Sequence, residues 1–265
     1  MHRRYALGMI IALGLVLGVS AGCRSDQEAQ VAATLEEIQT EIDAGNYESA
    51  RTELETILSE DAENAEARFK LGLVYFNLGD YQLARENFEQ SLALEPDRAG
   101  AVHHNLGVLA YQMGDMDTAL QEFQAALETD PDDADTHYQL GATYLIQAFP
   151  VDAMEPDAAL LAKAEAEFGR ALEIAPRKPE ALVGLANVYM LRNEMREAVD
   201  LLEDAVEQAP QMREALFALG RAYAAVGELD QAKATLRQFL DTDPPAMWAQ
   251  QAEEMLRELD GESTD

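Results

Sequence analysis

The chain reads as an all-α solenoid of stacked helix-turn-helix repeats, and three features of its 265 residues support this. A unit of about 34 residues recurs from about residue 31 to residue 244, and copies close on Pro96, Pro131, Pro176, Pro210 and Pro244, at intervals of 35, 45, 34 and 34. A fixed period of this length marks units that cannot bury their apolar faces alone and stack to make a continuous core. Small residues recur in register: Gly72, Gly107, Gly141, Ala186 and Gly220 at the eighth position, and Ala50, Ala84, Ala119, Ala164, Ala198 and Ala232 at the twentieth. Two helices of one unit cross closely only where bulk is absent. Third, Gly45, Gly79, Gly114 and Gly227, with Asn193 as the substitute, fall where the first helix of a unit must end in a left-handed residue.

Taken in chain order, six repeats are expected over about 31–64, 65–99, 100–133, 134–178, 179–212 and 213–244. The first is degenerate, since Glu37, Ile38 and Glu41 stand where later repeats carry leucine, a small residue and, most often, tyrosine; terminal repeats are atypical because one face has no neighbour. Bulk fills the remaining gaps: Leu71, Leu106, Leu140, Leu185 and Leu219 at the seventh position, and Leu54, Phe88, Phe123, Phe168, Leu202 and Leu236 at the twenty-fourth, form the apolar stripes of paired helices. Asn46, Asp80 and Asp115 are N-cap candidates for second helices. The fourth repeat carries about eleven extra residues, AFPVDAMEPDA, in which Pro150 and Pro156 hold a loop and Asp157 starts a lengthened second helix. A helix over 245–259, with Trp248, Ala252, Met255, Leu256 and Leu259 on one face, caps the last repeat, and 260–265 is a disordered acidic tail.

The copies AEARFKLGLVYFNLGDYQLARENFEQSLALEP from Ala65, AVHHNLGVLAYQMGDMDTALQEFQAALETDP from Ala101 and EALFALGRAYAAVGELDQAKATLRQFLDTDP from Glu214 resemble the tetratricopeptide repeat (TPR) over about four fifths of the chain. The resemblance implies a right-handed superhelix that presents the first helices of successive repeats on a concave face. On that face the family pattern would place Phe69, Leu73 and Phe76, then His104, Val108 and Tyr111, then Tyr138, Ala142 and Leu145, then Val183, Asn187 and Met190, and finally Phe217 and Arg221. A face so apolar implies a protein or peptide partner that offers an apolar helix or an extended hydrophobic segment. The alternative is that the fifth and twelfth positions are consumed by packing between repeats. The family's carboxylate clamp needs lysine then asparagine four residues on, and Phe69/Leu73 and Val183/Asn187 do not supply it.

The N-terminus carries His2, Arg3 and Arg4, an uncharged, mostly apolar run from Tyr5 to Gly22, then Cys23, the single cysteine. This is the layout of a secretory signal peptide over 1–22 followed by a lipid-attachment site. Bacterial lipoproteins are similar in having small residues, here Ala21 and Gly22, before the acylated cysteine; Ser20 departs from the usual leucine. A lone exported thiol has no disulfide partner, and acylation explains it. The alternative is an uncleaved anchor helix, because eighteen uncharged residues nearly span a bilayer. Either reading tethers the repeats to a membrane through a short segment, 23–30, facing the periplasm or exterior. Arg24, where the family's inner-membrane signal is aspartate, favours an outer membrane if one exists.

Charge narrows the partners. The precursor holds 19 Lys plus Arg against 50 Asp plus Glu, and removing Arg3 and Arg4 with the leader leaves 17 against 50, or −33. Phosphate-backbone binding is excluded at that charge, and the remaining readings are a solvated acidic surface or a basic partner steered by the field. No catalytic residue, cofactor or metal site is expected. His103 and His137 sit at the fourth position, where an aromatic usually packs, and Asp130, Asp132, Asp133 and Asp135 lack the glycine and the final glutamate of a calcium loop, which leaves helix capping as their role. The reading is therefore a non-enzymatic, lipid-anchored TPR scaffold of the cell envelope, similar in layout to the pilotin lipoproteins of type IV pili. A regulatory or accessory subunit of a cell-wall or secretion enzyme is the alternative.

Overall fold

A computed structural model of the chain describes residues 29–149 and 155–261. The leader, Cys23 and most of the acidic tail lie outside the described residues, as do Pro150 and Met154 of the insertion. The described residues form thirteen α-helices and no strand, in two compact units, to Asn105 and from Leu106.

The first unit contains α1 (29–43), α2 (Tyr47–Glu60), α3 (Ala65–Leu78), α4 (Tyr81–Leu94), a 3-10 turn at Pro96–Arg98 and the first half of α5 (Ala99–Gln112). Gln30, expected in the tether, already lies in α1. Leu35, Ile38, Leu54, Leu71 and Val74 make one buried cluster across α1, α2 and α3. The second unit contains the rest of α5, then α6 (Met116–Thr129), α7 (Ala134–Gln147), α8 (Ala158–Ile174), α9 (Pro179–Leu191), α10 (Met195–Gln208), α11 (Arg213–Val226), α12 (Leu229–Leu240) and α13 (Ala246–Asp260).

Close crossings occur where small residues permit them. All six twentieth-position alanines have no exposed surface. At the eighth position, a Cβ added to Gly72, Gly107 or Gly141 would lie 2.6, 2.6 or 2.9 Å from the ring of Phe88, Phe123 or Phe168. Where that position is Ala186, the opposing twenty-fourth residue is the smaller Leu202.

The turns inside repeats share one geometry. Gly45, Gly79, Gly114 and Gly227 have φ between 78° and 86°, and Asn193 has 63°. The next residue's N–H reaches back to a carbonyl five residues earlier, from Asn46 to Glu41, Asp80 to Tyr75, Asp115 to Ala110, Glu194 to Tyr189 and Glu228 to Tyr223, at 2.8–2.9 Å. This is the Schellman closure. Asn46, Asp80 and Asp115 stand at the N-cap positions as expected, but only Asp115 accepts a side-chain cap bond, from the Thr118 N–H. Asn46 and Asp80 have ψ of 52° and 63°, whereas Asp115, at 76° in the same kind of turn, and Asn64, Asp133 and Asp157, at 99–110°, do cap. Asp130 and Asp133 accept from the N–H groups of Asp132 and Asp135, so the acidic run closes a turn and a helix start.

Candidate functional site: an aromatic groove in the second unit

Six helices of the second unit line a cavity of about 440 Å³, with Phe168 of α8 at its floor. The residues drawn together are Tyr111 from α5, Tyr138, Ala142 and Leu145 from α7, Val183 and Asn187 from α9, Phe217 and Arg221 from α11, and Trp248 and Gln251 from α13. Helical periodicity explains their common direction, since positions separated by three, four or seven residues share a face.

The floor is fixed from below. Tyr138 rests on buried Phe168 with ring centroids 6.0 Å apart, and Phe217 rests on buried Phe239 at 5.1 Å and against Trp248 at 5.6 Å. Tyr138 and Phe217 therefore both line the cavity and pack on core rings. Burial pushes the phenols of Tyr111 and Tyr138 up from their ordinary value, and for Tyr138 the neighbouring Tyr111, Glu180 and Glu214 add to it. Both remain hydroxyl donors at neutral pH.

Of the concave residues expected from sequence, Tyr111, Tyr138, Leu145, Val183, Asn187, Phe217 and Arg221 line this cavity. Val183 is buried at 7 % and backs the wall. Val108 and Met190 are half-buried against the core clusters and do not line it. In the first unit Phe69, Leu73, Phe76 and His104 are half-buried; Phe69 packs on Phe88 at 5.6 Å and Phe76 on Tyr81 at 5.9 Å. None of these four lines that unit's cavity of about 810 Å³, which lies among Val31, Leu35, Ile57, Lys70 and Arg98. His137 is a structural staple: Nδ1 lies 2.7 Å from Glu167 Oε2 and Nε2 lies 3.0 Å from the Pro131 carbonyl.

Among the lining residues that sequence reasoning missed are Trp248, Glu180, Glu214 and Gly184. The apolar face of the capping helix accounts for Trp248 as a packing residue, yet it also closes one wall. Glu180 and Glu214, at the second position of their repeats, both line the cavity. Gly184 stands where a Cβ would meet the Phe168 ring at 2.5 Å, so Phe168 is held between Gly141 and Gly184. Its isolated occurrence at the sixth position was the available signal.

Among the described residues, no helix is long and apolar enough to cross a membrane, and no group of three or more His, Cys, Asp or Glu could hold a metal. Two tetratricopeptide repeat profiles match the sequence, one over residues 62–132 and one over 158–211 and 193–254. The chain belongs to the tetratricopeptide repeat family. No curated protein matches this TPR chain by sequence. Similar solved structures include that of Pseudomonas aeruginosa PilF, at 20 % identity over 84 % of this chain and 96 % of that one, with a TM-score of 0.71. PilW, described as a widely conserved type IV pilus biogenesis factor, is similar at 21 % identity over 82 % and 94 %, with a TM-score of 0.67. YrrB, described as a TPR protein with an unusual peptide-binding site, is similar at 19 % identity over 76 % and 97 %, with a TM-score of 0.54. At such identities the likeness is one of fold.

Proposed function

We propose that this TPR chain is a non-enzymatic scaffold of the cell envelope, anchored to a membrane through acylated Cys23, that holds a segment of another envelope protein in the groove of its second unit. The observation that carries the reading is the concentration of Tyr111, Tyr138, Phe217 and Trp248 around one open cavity of about 440 Å³. Aromatic anchors in a partly desolvated pocket are the usual centres of binding energy, at about 2 kcal/mol or more each. The fold shared with PilF and PilW supports an envelope role, and pilus assembly is one process that fits. For the anchor, the support is the sequence around Ala21, Gly22 and Cys23; two or three acyl chains, at about 0.8 kcal/mol per buried methylene, hold a protein firmly at a membrane.

Site-directed crosslinking tests the groove. A photoreactive group attached at Asn187→Cys should give one dominant adduct in intact envelopes, and the same group at Leu83→Cys, on exposed surface of the first unit, should not. Adducts from position 83 alone would overturn the groove reading. The anchor is tested by mass spectrometry of the mature N-terminus, where an unmodified thiol on Cys23 or a retained leader would overturn it.

A further inference from the structure

The groove has two chemically different edges. On α11, Glu214, Phe217 and Arg221 follow one another at intervals of three and four residues; on α9, Glu180, Val183 and Asn187 repeat that spacing; and all six line the cavity. Each helix thus presents an acidic group, an apolar group and then a cationic or amide group along one face. Seven residues at 1.5 Å rise put the acidic and Arg/Asn edges about 10 Å apart, close to the 10–12 Å width of an α-helix with its side chains.

The charged groups of the two edges are at most weakly paired from within. Glu214 makes no ion pair among the described residues, and Glu180 has only a long contact, 3.8 Å, to Lys178, whose nearer partner is Asp135. Arg221 is exposed and lies over the Phe217 ring at 6.0 Å. Glu254 and Glu258 of α13 face it across an adjoining cavity without forming an ion pair.

We infer that the groove takes an amphipathic α-helix laid across α9 and α11, whose apolar stripe is bordered by Lys or Arg on one flank and by Asp or Glu on the other. The basic flank meets Glu180 and Glu214, and the acidic flank meets Arg221 and the Asn187 amide. This rests on the groove being the recognition surface and narrows what it recognises. The chain's net charge of −31 attracts any cationic segment, but a helix basic on both flanks brings like charge onto Arg221. Specificity then comes from a repulsive element as well as an attractive one. The mixed flanks also fix the direction in which the helix lies.

The single tryptophan of the chain, Trp248, lines the cavity, so its fluorescence reports occupancy directly. The probes are synthetic amphipathic helices with a leucine stripe and no aromatic residue, flanked by Lys and Glu, by Lys and Gln, or by Gln on both sides. Titrated into the full chain, the Lys/Glu helix should bind about threefold or more tighter than the Lys/Gln helix, the upper range for a solvent-accessible pair. With Arg221→Gln that difference should vanish, a coupling that the overall field cannot produce. If Lys/Glu and Lys/Gln helices bind wild type equally, or if Arg221→Gln leaves their ratio unchanged, the two-edged recognition is overturned while the groove reading stands. If none of the helices, the Gln-flanked one included, perturbs Trp248, the groove reading fails and this inference with it.

Discussion

At the scale of single residues, the same amino acid has opposite worth in two places. Gly184 faces a Phe168 ring that is already pinned by Gly141, whereas Gly169, inside α8, has nothing within 4 Å of where a Cβ would stand. Gly184→Ala should therefore destabilise by about 1–3 kcal/mol through overpacking. Gly169→Ala should be neutral or stabilise by about 0.5–1 kcal/mol, because glycine is a poor helix interior residue. Urea unfolding of the two variants beside wild type reads both signs at once. A second residue-scale feature recurs at a spacing of 20: Tyr75 donates to Glu55, Tyr223 donates to Glu203, and Gln124 donates to Tyr144. Burial first, then the Glu203 bond and charge, push the Tyr223 phenol from its ordinary value of 10.0 up to about 12. The folded chain then keeps a proton that the unfolded chain begins to lose near pH 10, so this contribution is full below that pH and fades as pH rises towards 12. Tyr75 and Tyr189 are shifted the same way. Melting temperature measured from pH 8 to 11.5 should fall above pH 10, and Tyr223→Phe should be less stable at neutral pH but fall less steeply. Parallel profiles would show that the Tyr223–Glu203 contact does not carry this loss.

Among the helices, α13 has two roles. It covers Leu216, Leu236 and Phe239 through Ala252 and Trp248, and it supplies the Trp248 wall of the groove. Trp248→Ala should lower stability by about 2–3 kcal/mol, less than a fully buried aromatic because Trp248 is only half-buried, and should also weaken helix binding. Stability follows from urea unfolding monitored by circular dichroism, and binding from calorimetry, since the fluorophore is gone. Much of this level was legible beforehand. The turns at Gly45, Gly79, Asn193 and Gly227 could be read because a left-handed residue is demanded there, and α13 could be read from its apolar face. Asn46 and Asp80 take the N-cap positions that their residue type favours but make no cap bond, because their ψ of 52° and 63° falls short of the 76° at Asp115, which does. Trp248 and Gly184 were only half legible. Periodicity says which face of a helix is apolar, and the angle at which neighbouring helices cross decides whether that face meets core, cavity or both.

For the whole molecule, a repeating sequence folds into helix pairs whose inner residues are nearly interchangeable from unit to unit, so function must reside in what differs. The twentieth-position alanines are uniformly buried and carry no information about a partner. The concave positions vary, and in the second unit they gather aromatic rings above the core aromatics, between an acidic and a cationic edge. The concave face was legible from sequence only through the family pattern, and its cavity was not legible at all, because the pattern treats Phe69 and Phe217 alike whereas α13 gives only Phe217 a facing wall. The decisive measurement fills the cavity without disturbing its floor. Ala142 is half-buried on α7 and lines the groove, so Ala142→Trp plugs it while Phe168 and Phe239 keep their contacts. Recovery of the crosslinked partner should fall at least about tenfold, about 1.4 kcal/mol and less than the worth of a single aromatic anchor, with the melting temperature within about 2 °C of wild type. Full recovery of the same partner by an Ala142→Trp protein that is folded and plugged would place the recognition surface elsewhere on the chain.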